Sequence, residues 1–176
     1  MSRSSAGDPV DQPVSRALPL AELRARIGEE LGVSDWIRVD QARIDSFAEV
    51  TGDHQFIHVD PELARHTPFG TTIAHGFLTL SLLPAMGYSA MPIIEGTRLG
   101  LNYGLNRLRF VAPVRSGAQV RGRFRLADLA ERPDGGIIAT WQVTVEIAGE
   151  SRPALAAEWL TLSYVEAEGA RAAEAS

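Results

Sequence analysis

Residues 75–91, HGFLTLSLLPAMGYSAM, are apolar on every side of a helix, and long alternating segments follow them. Phe77, Leu78, Leu80, Leu82, Leu83 and Met86 leave only Thr79 and Ser81 as interruptions. A helix that is apolar all round has to be enclosed by other structure. At 17 residues with Pro84 and Gly87 inside, the segment reads as a buried core helix and not as a membrane span.

The enclosing structure follows in the sequence. In VRGRFRL, Val120, Gly122, Phe124 and Leu126 alternate with Arg121, Arg123 and Arg125. In IATWQVTVEIAG, Ala139, Trp141, Val143, Val145 and Ile147 share one face, with Thr140, Gln142, Thr144 and Glu146 opposite. Strict alternation marks a strand with one buried face. RLGLNYGLNRLRFVAPV and ALAAEWLTLSYV complete a set of strands joined by short turns such as RPDGG. No helix-length connection separates them, so an antiparallel sheet is expected. The fold class is α+β, a sheet wrapped around a helix. Such a sheet has edges, and a bare edge strand invites pairing, so a homodimer is expected.

The first half reads as helical. LPLAELRARIGEELG sets Leu20, Leu23, Ile27 and Leu31 on one helix face. WIRV is a short extended piece. Asp40 then caps a helix through QARIDSFAEVT, with Ile44, Phe47 and Val50 turned inward and Gly52 as its stop. Residues 1–17 and 166–176, rich in Ser, Pro, Gly, Ala and charge, read as flexible tails around a single domain at 18–165.

Composition excludes much chemistry. The chain has no cysteine and no lysine; all 17 basic residues are arginine. Disulfides, thiolate nucleophiles, cysteine-held zinc, Schiff bases and the lysine of a phosphate-binding loop are therefore ruled out. A net charge of −5 argues against nucleic acid as a partner. The N-terminus lacks an apolar signal segment and no stretch is long enough to span a bilayer, so the cytoplasm is the expected compartment.

The densest group of titratable residues is TGDHQFIHVDPELARH, residues 51–66. Asp53 and His58 stand five apart, just past the glycine that stops a helix. In a loop, that spacing brings a carboxylate and an imidazole over one small molecule, with Phe56 and Ile57 packing inward to dry the site. Apolar neighbours raise a carboxylate's pKa, while a histidine titrates near neutrality. Such a pair can take a proton from one water and deliver another. The competing reading is a turn-forming aspartate beside a surface histidine. His54 and His58, four apart, admit a metal-ligand reading as well, but Gly52 opposes the helix that it needs, and no metal is expected.

In GTTIAHGF, residues 70–77, a loop of small residues ends at His75 and Gly76, where the buried helix begins. A helix start offers unpaired N–H groups, and glycine lets a ligand approach them closely. A carbonyl resting on the Gly76 N–H would be polarised. The alternative is a tight turn that needs a small residue.

FAEVTGDHQFIHVDPELA followed by PFGTTIAHGFLTLSLLP resembles the MaoC-like dehydratases, the (R)-specific 2-enoyl-CoA hydratases, and within them the branch that includes nodulation protein N. GLNYGLNRLRFVAPVRSGAQV is similar to that branch too, so the likeness runs from about Leu18 to Val165. The resemblance implies the hot-dog fold, a long helix wrapped by an antiparallel sheet and usually dimeric. It implies catalytic roles for Asp53 and His58 and an oxyanion-hole role for Gly76. The implied reaction is hydration of a trans-2-enoyl thioester, or the reverse dehydration, with no cofactor and with coenzyme A only as part of the substrate. Gln55 and Phe56 stand where the common family pattern has Asn-Pro, which bears on the acyl pocket. They are expected at the substrate together with His75.

Two alternatives share the fold. A thioesterase of this kind commonly draws a carboxylate from the central helix, and none lies between Gly76 and Ile94. A non-catalytic acyl-thioester-binding protein is the other. Arg107 and Arg109, with Arg115 beyond them, are candidates for the phosphates of coenzyme A, against the reading of a plain solvated strand face. An acyl carrier protein could equally carry the thioester.

Overall fold

The computed structural model describes residues 16–166. The tail expectations at 1–15 and 167–176 lie outside the described residues. Arg16 and Ala17, placed in the tail by composition, are ordered against residue 93: the Arg16 carbonyl accepts from the Ile93 N–H, and β1 (Ala17–Leu18) pairs in parallel with β4 (Ile93–Ile94).

Four long strands make the body of the sheet: β5 (Thr97–Phe110), β6 (Ala118–Glu131), β7 (Gly136–Ile147) and β8 (Leu155–Val165). Short β2 (Glu30–Val33) and β3 (Ile37–Val39) both pair with β6. The order is β2-β6-β7-β8-β5 with every pairing antiparallel. The alternation read from the sequence is the register observed. Val120, Phe124 and Leu126 of β6, and Ala139, Trp141, Val143, Val145 and Ile147 of β7, are buried on one face. Arg121 and Arg123 lie on the other, bound to Glu146 and Glu30. The RPDGG turn closes through Arg132 N–H to Gly136 C=O at 2.8 Å, with Gly135 at φ +81°.

The helical half differs from expectation in three places. Helix α1 is only Leu20–Ala25: Gly28 adopts φ +93° and gives its N–H to the Leu126 carbonyl. Ile27 is consequently exposed, and Leu31 belongs to β2. Helix α2 (Gln41–Thr51) is capped by the Asp40 carboxylate and stopped at Gly52, as read, but Val50 is 86% exposed. Its buried line is Ile44 and Ala48, one turn apart, with Phe47 partly covered beside them; Val50 falls off that stripe.

The central helix is two pieces, α5 (Gly76–Ser81) and α6 (Leu83–Ala90), joined at Leu82. Pro84 has no N–H for the Leu80 carbonyl and its ring crowds that turn, which accounts for the break. Enclosure is also incomplete. Leu78, Leu82, Leu83 and Met86 are buried, whereas Phe77, edge-on to Phe110 of β5, and Tyr88 are each about half exposed or more. At the end of α6, Gly32 of β2 passes so close that an added Cβ would fall 1.8 Å from the Ala90 carbonyl oxygen. Among the described residues, no helix is long and apolar enough to cross a membrane.

Candidate active site

The residues before α5 are fixed by backbone pairing to the sheet. Ala74 N–H donates to Val114 C=O at 2.7 Å and Ser116 N–H to Thr72 C=O at 2.9 Å, so this segment lies along the chain entering β6. On its other side, Ile73 N–H donates to the Ile57 carbonyl at 3.0 Å. That bond locks the one-turn helix α3 (Phe56–Val59) beside the start of α5. Gln41 of α2 ties down the same turn, its Nε2 donating to the His58 carbonyl at 2.7 Å while its Oε1 accepts from the Thr72 hydroxyl.

This frame brings Asp53, His58 and His75 together. A carboxylate oxygen of Asp53 and a ring nitrogen from each histidine all lie within 4.8 Å of one another. Asp53 is exposed at the rim; His58 and His75 are 7% and 3% exposed. The Ile73 carbonyl, 2.7 Å from His58 Nδ1, can only accept, so Nδ1 carries the proton and Nε2 is left with its lone pair. The Asp53 carbonyl, 2.9 Å from His75 Nε2, fixes the opposite tautomer there. Burial is the largest influence on His58 and lowers its pKa. The Ile73 hydrogen bond opposes that, His75 adds to it, and Asp53 opposes it.

A cavity of about 280 Å³ opens beside His58, lined also by Gly76, Thr79, Phe110 and Val114; of the three clustered residues only His58 reaches it. Gly76 is the first residue of α5, so its N–H has no partner within the helix. The ring of Phe110 stands against it: a Cβ on Gly76 would meet that ring at 2.9 Å.

One sequence expectation fails here. Phe56 is 42% exposed and does not dry the site: α3 turns His58 inward, and that points Phe56 outward. His54 faces Glu49 at 3.7 Å and is not paired with His58. Gln55 caps α3 and gives its N–H to Asp53 Oδ1 at 3.4 Å. Arg107 and Arg109 are exposed on β5, next to Phe110; Arg115 is held by the Phe69 carbonyl and Glu150. Spacing gave no sign of Gln41 or Thr79, because both come to the site through tertiary packing.

The same three residues form the one candidate cluster for a metal among those described. Their geometry suits an ion poorly. The histidine rings are stacked, with centroids 3.8 Å apart and planes 26° apart, so their lone pairs lie in two nearly parallel planes, an arrangement that hinders convergence on one ion.

The pattern of the MaoC like domain matches residues 22–146. This chain belongs to the MaoC-like dehydratase family. It is 58% identical to a "Nodulation protein N" of Rhizobium leguminosarum bv. viciae over 82% of this chain and 91% of that protein. It is 48% identical to the "3-hydroxyacyl-thioester dehydratase Z" of Mycobacterium tuberculosis over 79% of this chain and 91% of that one. Among solved structures it resembles an (R)-hydratase from A. caviae involved in PHA biosynthesis, at 25% identity and a TM-score of 0.62, covering 80% of this chain and 96% of the other. The hot-dog architecture and the dehydratase–hydratase class of lyase follow from these likenesses.

Proposed function

We propose that this chain is a cytoplasmic hydratase that adds water to trans-2-enoyl thioesters with (R) stereochemistry, or removes it from the 3-hydroxyacyl product. The observation that carries the reading is a ring nitrogen of His58 within 4.8 Å of an Asp53 carboxylate oxygen, with His58 and Gly76 lining one cavity. In the forward direction the pair takes one proton from water while its oxygen bonds to C3. The electron pair of the double bond moves toward the thioester oxygen, where the Gly76 N–H would stabilise it. A proton from the pair then reaches C2, so one water is consumed and nothing is oxidised. The step needs no cofactor, and coenzyme A or an acyl carrier protein enters only as part of the substrate.

Arg107 and Arg109 support a phosphate-bearing carrier, being exposed beside the Phe110 end of β5. A second copy of the chain is the proposed partner. Among the described residues strand β5 is a free edge, and Leu99, Leu101, Tyr103, Leu105 and Phe110 on it are each more than a third exposed. A two-fold-related β5 would cover them and continue the sheet.

The test is a panel of enoyl-CoA substrates of graded chain length. Loss of the enoyl absorbance is followed beside release of free thiol, with chiral analysis of the product. The (R)-3-hydroxyacyl thioester without thiol release is expected. Thiol release would select a thioesterase, and tight binding without turnover would select a carrier or scaffold protein.

A further inference from the structure

We infer that His75 is a positioning residue for the Asp53–His58 pair, holding the His58 ring by stacking and the Asp53 backbone by a hydrogen bond. The inference rests on reading Asp53 and His58 as the reacting groups. The His75 ring lies face to face with His58 at 3.8 Å and packs against Phe47 of α2 at 5.1 Å. Its Nε2–H donates to the Asp53 carbonyl at 2.9 Å. One side chain therefore connects the loop that carries Asp53, the turn that carries His58 and the helix that begins at Gly76.

The third observation is a defect. His75 Nδ1 is buried with no hydrogen-bond partner among the described residues. An unsatisfied buried acceptor is unfavourable, so packing alone would favour an apolar ring at this position. A histidine is explained by what its other nitrogen does.

The titratable groups acting on His58 are His75, which lowers its pKa, and Asp53, which raises it. From α2, Asp45 meets Gln41, whose amide in turn holds the His58 carbonyl; Gln41, Thr72 and Thr79 are neutral. Removing His75 while keeping a ring in its place should therefore let the His58 pKa rise.

The decisive variant is His75→Phe, which retains the stack and removes both the unpartnered nitrogen and the bond to Asp53. Its melting temperature should equal or exceed that of the unaltered protein. kcat should fall about 10- to 100-fold from misplacement of the pair, with KM nearly unchanged. The acid limb of kcat/KM should move to higher pH. His75→Gln, whose amide can restore the donor to Asp53, should recover part of kcat. A stable His75→Phe protein with unaltered kcat and acid limb would overturn the inference. Should that variant fail to fold, nitrogen-15 NMR of the unaltered protein decides, since the chain has only four histidines. It should show the neutral His58 ring as the Nδ1–H form and the neutral His75 ring as Nε2–H; His75 as the Nδ1–H form would overturn it. Loss of activity in Asp53 and His58 variants with none in His75→Phe would remove this inference alone. Full activity in all of them would remove the reading beneath it.

Discussion

His58 donates its Nδ1–H to the Ile73 carbonyl at 2.7 Å, and that one bond leaves Nε2 as the only ring position able to accept a proton. The donor side is used up by the fold, so the chemistry of the ring is decided by its backbone neighbour.

The pH response of activity follows from this. Burial, the largest influence, lowers the His58 pKa below its ordinary value near 6.5. The proposed reaction uses the His58 ring in its neutral form, so the acid limb of kcat/KM is expected below pH 6.5. Stability takes the same sign. Between the two pKa values the unfolded chain binds the proton and the folded chain does not, so His58 weakens the fold as pH falls below about 6.5 and has no such effect above it. Rate profiles and urea midpoints between about pH 5 and 8 check both. An acid limb above 6.5 would contradict the tautomer and burial described.

Gly76→Ala keeps the N–H and adds a methyl group against Phe110. Phe110 is 45% exposed and free to swing outward, so the melting temperature should change little. The methyl group and the displaced ring would obstruct the amide, and kcat/KM should drop by about 10- to 100-fold. Kinetics equal to those of the unaltered protein would separate Gly76 from the reaction.

Gly32→Ala tests the fold away from the site. The new Cβ would sit 1.8 Å from the Ala90 carbonyl oxygen, which is backbone and cannot step aside cheaply. Destabilisation of about 3 kcal/mol is expected, or a fall in melting temperature of roughly 6–12 °C. A change within 2 °C or so would mean that β2 does not dock on the end of α6 as described.

Charge on the free edge tests the assembly. Leu101→Glu with Leu105→Glu should convert a dimer into a monomer in light scattering, since two copies would each bury unpaired carboxylates. An unaltered protein that is monomeric at micromolar concentration would contradict the proposed pairing.

How much of this was legible beforehand differs by element. The β6 and β7 registers could be read directly, because alternation at period two reports the buried face without reference to anything distant. The Asp40 cap and the Gly52 stop were equally local. Ile27, Val50 and Phe56 were misplaced for the opposite reason. Each lies where a short helix ends or turns, and its exposure is decided by Gly28 pairing with Leu126, by the Ile44–Ala48 stripe, and by the Ile73–Ile57 bond. At the site, Asp53, His58 and Gly76 stood out by residue type and spacing. The stacked partner of His58 was legible only as a histidine next to a glycine; its burial and its bond to Asp53 come from the packing of α2, α3 and α5.

The central claim is that Asp53 and His58 share one water. It is tested most directly by the rate of crotonyl-CoA hydration in purified Asp53→Asn and His58→Ala proteins whose melting temperatures match the unaltered chain. Each should lose at least the roughly 10²–10⁴-fold that acid–base catalysis supplies. Near-normal rates in both would contradict it.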